Sequence, residues 1–374
     1  MYKKDFVNRE AVIAVGLGDH AKNNGISPKK WRSRENFKYA LLMIAGLAIC
    51  SMACKNGGSG HKETTNQSGG SSWTKKENVP GGGRLLAVGF SIGDKGYVGT
   101  GDNGTGAVGK KDFWVYDPSS NVWMQKADFA GGDRESAVGF SIGNKGYVGT
   151  GRRYNGNMLN YNDCQDFWEY DPATDKWTQK ADFPGGVRFG AVGFSIGNKG
   201  YIGTGNDGGA IGEREKNDFW EYDPATDKWT KKADFPGGNR IGAVGFSIGN
   251  KGYIGTGVIW NKNDLRNDYK QDFWEYDPAT NSWTKKADFA GEARAHAVGF
   301  SIGNRGYIGA GSGESGFTGE KNIWEYDPAS NKWTKKADMT VGRTSAVSFS
   351  IGNKGYIGTG AGTGGGQDFL EFTP

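Results

Sequence analysis

The sequence predicts an all-β chain built from six copies of one four-stranded antiparallel unit. Three observations carry this. A GYVGTG, GYIGTG or GYIGAG segment places tyrosines at 97, 147, 201, 253, 307 and 356, at intervals of 49 to 54 residues. A tyrosine stands seven residues before a tryptophan five times, at Tyr116/Trp123, Tyr170/Trp177, Tyr222/Trp229, Tyr276/Trp283 and Tyr326/Trp333. The 65 glycines of the 374-residue chain are interleaved with aromatics at regular spacing, which low-complexity disorder does not show.

The elements follow in chain order. Residues 1–53 hold a basic stretch, PKKWRSRENFK, and then YALLMIAGLAICSMAC from Tyr39 to Cys54. About 15 apolar residues suit a secretory signal, whereas a spanning helix wants about 20. The ending SMAC resembles a bacterial lipobox, with Ala53 before Cys54 and Ser51 where leucine is usual. That resemblance implies cleavage ahead of Cys54 and lipidation of Cys54. The protein is then expected to be exported and lipid-anchored to the outer membrane or cell surface of a bacterium. An uncleaved single-span anchor is the alternative. Residues 54–72 are a Gly/Ser-rich tether, with a reach of roughly 25 Å.

Residues 73–374 are the repeats. Strand a is AVGFSIG, and an Asn-Lys-Gly or Asp-Lys-Gly turn supplies the positive φ of a tight hairpin. Strand b is GYIGTG. Strand c is DFWEY, with Trp and Tyr on one face and Phe on the other. An Asp-Pro-Ala-Thr turn leads to strand d around the second Trp. Glycines in strands a and b are expected to let neighbouring backbones approach. A repeat near 50 with a Gly-rich strand end and fixed Tyr and Trp resembles the kelch motif, with Gly-Thr-Gly replacing the usual adjacent Gly-Gly. The resemblance implies a six-bladed β-propeller, in which neighbouring blades bury one another's faces. The chain stops after DFLEF (368–372), a third strand, while Trp73-Thr-Lys-Lys matches the fourth strand of other repeats. An N-terminal outer strand pairing with the C-terminal blade would therefore close the ring and remove its edges.

Antiparallel order puts the a–b and c–d turns on one face and the b–c and d–a loops on the other. The first set barely varies. The second carries the variable stretches 102–111, 152–165, 206–217, 258–271, 312–321 and 361–367, and an arginine before each strand a: Arg84, Arg134, Arg188, Arg240, Arg294 and Arg343. An asymmetric site belongs on this face. The arginines have two readings. An acid or amide opens each strand c (Asp112, Asp166, Asp218, Asp272, Asn322, Asp368), so each arginine is suited to clasp its own blade. Alternatively they ring the channel mouth and bind an anionic or polar ligand; the kelch resemblance implies acidic-peptide contacts at this position. Trp260, out of register with the other repeat tryptophans, and Tyr154, Tyr161, Tyr269 and Phe317 are further ligand candidates, since rings beside amides suit sugars.

Several function classes are excluded or left without support. Nine basic and four acidic residues lie in 1–53, which leaves 37 of each in 54–374, so a nucleic-acid footprint has no support. Cys50, Cys54 and Cys164 give no disulfide or zinc spacing, and His20, His61 and His296 are scattered. No metal or cofactor is expected. Kelch propellers include copper-dependent galactose oxidase and a sialic-acid mutarotase; copper would need a second histidine beside His296. A mutarotase needs only an acid/base pair at a sugar pocket, to which Glu213, Arg214 and Glu215 in a variable loop, or else Glu135 or His296 beside the strand-a arginines, are candidates to contribute, with no spacing that singles any of them out. The sequence thus predicts a noncatalytic envelope module that binds a glycan or an envelope protein, with a sugar-active enzyme as the alternative.

Overall fold

The computed structural model describes residues 70–374 except 105–108, 158–159, 210–213, 262–265, 315, 317–318 and 363–365. The leader, the lipidation candidate Cys54, most of the tether, Glu213 and Phe317 lie outside the described residues. Among the described residues all regular structure is strand.

Six four-stranded antiparallel sheets form the blades of a propeller. Blade 1 has strands Val88–Ile92, Lys95–Gly99, Phe113–Asp117 and Val122–Lys126, paired in that order. The innermost strands of blades 2 to 6 are Val138–Ile142, Val192–Ile196, Val244–Ile248, Val298–Ile302 and Val347–Ile351. Blade 6 takes its outer strand from the other end of the chain. Ser72–Lys76 pairs antiparallel with Phe369–Thr373, in the register Trp73 to Phe372.

Strand a alternates strictly. Val, Phe and Ile are buried, while Gly and Ser are half-buried and the Gly positions turn toward the preceding blade. The glycines of strand a and the first glycine of strand b make room for neighbouring side chains, whereas the second glycine of strand b allows the close main-chain approach expected from sequence, a Cβ on Gly99 standing 2.9 Å from the Asp112 carbonyl oxygen. A Cβ on Gly89 would stand 2.7 Å from a carbon of Val347, and one on Gly96 2.3 Å from the ring of Phe349, both in blade 6. The same knob-in-notch relation recurs between consecutive blades, so glycine is required here by the neighbour's volume.

Between blades the core is aromatic. Phe167 of blade 2 meets Tyr222 and Trp229 of blade 3 edge-on, at centroid distances of 4.9 and 5.0 Å. Polar tips are satisfied across each such seam, as between blades 1 and 2. Trp177 Nε1 donates to the Ala127 carbonyl at the exit of blade 1, while Asp175 accepts from the Ala127 N–H and from the Tyr170 hydroxyl. Each blade so holds the end of the one before it. At the closure, Trp73 Nε1 donates to Ala337 O at 2.7 Å and Trp123 Nε1 to Glu77 O at 3.0 Å. The N-terminal strand therefore joins blades 5 and 1 as well as completing blade 6.

Candidate functional site at the channel mouth

The six repeated arginines are buried, at 0–1 % exposure. Arg240 is representative. Its Nη1 donates to Asp272 Oδ1 at 2.7 Å and to the Thr256 carbonyl at 2.8 Å; its Nη2 donates to Asp272 Oδ2 at 2.9 Å and to the Gly237 carbonyl. Trp274 Nε1 donates to the same Asp272 oxygen. Removing one member of such a buried pair typically costs about 3–5 kcal/mol, because the other charge is left uncompensated. Arg84, Arg134, Arg188 and Arg343 make the same bidentate contact with Asp112, Asp166, Asp218 and Asp368, and Arg294 bonds Asn322. These guanidinium groups tie each b–c loop to its own strand a and do not line the channel mouth.

Two residues beyond each arginine the chain enters the left-handed region, at Leu86, Ser136, Gly190, Gly242, His296 and Ser345, with φ from 54° to 64°. There the six main chains form a closed ring. Each N–H donates to the carbonyl of the corresponding residue in the preceding blade, at 2.8–3.0 Å, and Leu86 donates to Ser345 across the seam. A non-glycine residue in this region costs roughly 1–2 kcal/mol, which the ring offsets. Its side chains differ although the backbone repeats.

A cavity of about 280 Å³ sits over this ring. One side is charged: Glu135, just before Ser136, and Arg152, whose main chains pair with each other. The other side holds Ile241, Ser312, Thr344 and His296. Arg152 is fixed from three directions. Its Nε donates to Asp163 at 3.1 Å, and its guanidinium carbon lies 3.4 Å from the ring centroid of Phe189 and 4.7 Å from that of Tyr161. No described residue accepts from its two terminal nitrogens, which suit a carboxylate. Burial, with the Asp102 carboxylate, pushes the Glu135 pKa up to about 7, against the nearby Arg152 charge. Burial pulls the His296 imidazole below its usual value.

Of the aromatic candidates, Tyr161 supports Arg152. Tyr154 lies edge-on to Tyr161, 6.3 Å between centroids, on the hairpin Arg152–Asn157/Asn160–Asp163. Trp260 and Tyr269 stand on a second hairpin, Val258–Asn261/Arg266–Tyr269, and neither lines the cavity. Glu215 is buried and pairs through its main chain with Asn206. Arg152, Phe189 and Ser136 were not singled out by sequence. The signal available for Arg152 was its place at the head of a variable stretch. Among the described residues no group of His, Cys, Asp or Glu is arranged to hold a metal ion.

No protein-family model matches the chain. Among solved structures, the one titled "Structure of YjhT" superposes with a TM-score of 0.65, over 79 % of this chain and 95 % of that one, at 19 % identity. That likeness is one of fold: this chain is a six-bladed β-propeller. Stretches of the chain also resemble curated proteins. N-acetylneuraminate epimerase of Pasteurella multocida (strain Pm70) is 32 % identical over 125 residues, 33 % of this chain and 30 % of that protein. N-acetylneuraminate epimerase of Haemophilus influenzae (strain PittEE) is 31 % identical over 139 residues, 37 % and 35 % of the two chains. The matched part spans about a third of the length of these relatives.

Proposed function

We propose that the cavity at the channel mouth binds a small acidic sugar of the sialic-acid class and interconverts its anomers, with Glu135 as proton donor. The observation that carries this reading is Glu135 itself, a carboxyl with a pKa of about 7 in the same cavity as the stacked guanidinium of Arg152. A carboxylic acid half-protonated near neutrality is suited to give a proton to a ring oxygen and take it back. Arg152 is suited to hold the sugar's carboxylate. Phe189 and Ile241 offer apolar wall against which a sugar face can lie. The epimerases that resemble parts of the chain support the same substrate class.

The test is exchange NMR on the anomers of N-acetylneuraminate with the full chain. Wild-type protein is expected to accelerate exchange, and Glu135→Gln to lower the enhancement roughly 10²–10⁴-fold while retaining binding. Binding without acceleration in the wild type would replace catalysis by the noncatalytic glycan-binding module. That second reading draws on the two aromatic-bearing hairpins beside the cavity. Neither binding nor acceleration would remove acidic sugars from consideration.

A further inference from the structure

We infer that His296 is the second proton-transfer group of this cavity, the base that works against the acid of Glu135. The inference rests on the acidic-sugar reading above and names a residue that reading does not need for binding. Its ground is placement. His296 is itself a member of the main-chain ring, in blade 5, and Glu135 immediately precedes the ring residue of blade 2. In a six-membered ring these positions lie across from each other, and both side chains line the same cavity of about 280 Å³. A sugar ring seated between them presents its ring oxygen to one and its anomeric hydroxyl to the other.

The surroundings make the imidazole available. It leans over Gly242 of blade 4: a Cβ on that glycine would stand 2.9 Å from His296 Cε1. Glycine at 242 therefore leaves the space the ring occupies. No described residue hydrogen-bonds the imidazole. The groups around it, Ser312 of its own blade and Ile241, Thr344 and Ser345 of neighbouring blades, are uncharged, and the charged groups that share the cavity are Glu135 and Arg152. Burial favours the neutral imidazole, which is the form that accepts a proton.

The chemistry balances without any further reagent. Glu135 gives its proton to the ring oxygen as the bond from that oxygen to the anomeric carbon breaks. His296 takes the proton of the anomeric hydroxyl, whose oxygen becomes the carbonyl. Rotation about the bond to the carbonyl carbon exposes its other face. The reverse steps close the opposite anomer, and both protons return to their donors.

This arrangement needs a neutral His296 and a protonated Glu135, so the rate should form a bell in pH. The acidic limb follows His296 and the basic limb follows Glu135. The deciding variant is His296→Gly, because glycine takes the left-handed backbone in two other members of the ring, Gly190 and Gly242. It should lower kcat by roughly 10²–10⁴-fold with KM little changed and lose the acidic limb. Free imidazole added to His296→Gly should restore part of the rate. An unchanged kcat with the acidic limb intact overturns the role of His296 and leaves Glu135 standing. A kcat loss that imidazole does not rescue, in a variant that melts well below wild type, also overturns it and makes His296 structural. A wild type that binds no acidic sugar, or binds without turnover, overturns both readings.

Discussion

A single carboxyl shows how position converts a common side chain into a special one. Glu135 owes its high pKa to burial and to Asp102 of blade 1, against the opposing charge of Arg152. A folded-state pKa above the ordinary value means that the folded state holds this proton more tightly than the unfolded chain. The stabilisation is therefore complete below about pH 4 and is lost as pH rises through about 7. Glu135→Gln carries no such titration. Its melting temperature should exceed that of wild type at pH 8 by more than it does at pH 5, at roughly 2–4 °C for each kcal/mol. Parallel melting curves for the two proteins across that window would show that Glu135 titrates normally.

At the scale of the element, blade 5 departs from its siblings. Asn322 stands where the others have aspartate, and it donates through Nδ2 to Glu320 at 2.9 Å. Arg294 Nη2 and Trp324 Nε1 are consequently buried without a partner among the described residues. In blade 4 the matching pair shares Asp272 Oδ2. Asn322→Asp, combined with Glu320→Gln to remove the like charge, should thus supply the missing acceptor. A gain of about 1–3 kcal/mol is expected, read as a higher denaturation midpoint at constant slope. A midpoint that does not move would mean the two donors are already satisfied. The blades themselves were legible in the sequence, because every strand is written six times, the c–d turn five times, and Trp73 has five counterparts to match. The pairing of each arginine with the acid or amide that opens strand c was legible for the same reason. The cavity was not. Its acid is made by residues from blades 1 and 2, its guanidinium is propped by Phe189 of blade 3, and these neighbours are far apart in the chain. Trp260 drew notice for breaking register, yet it stands on a hairpin outside the cavity.

For the whole molecule, closure rests on a strand of five residues that joins the two ends of the repeat region. Deleting residues 1–76 would expose the edge Phe369–Thr373 and free Ala337 O from Trp73. Such a protein should melt at lower temperature and associate through the bare edge, as read by calorimetry and size-exclusion chromatography. Equal melting and a monomeric profile would show that the other five seams suffice.

The main-chain ring at the channel mouth carries a different consequence. Both partners in each of its bonds are backbone atoms, so the side chains above it take no part in holding it. Leucine, serine, glycine and histidine already share one geometry there. The six positions thus act as interchangeable sockets on a rigid bezel, closed to proline, which lacks the N–H, and unfavourable for β-branched residues at positive φ. A new ligand preference is reachable by exchanging one socket at a time, while the blades beneath stay as they are.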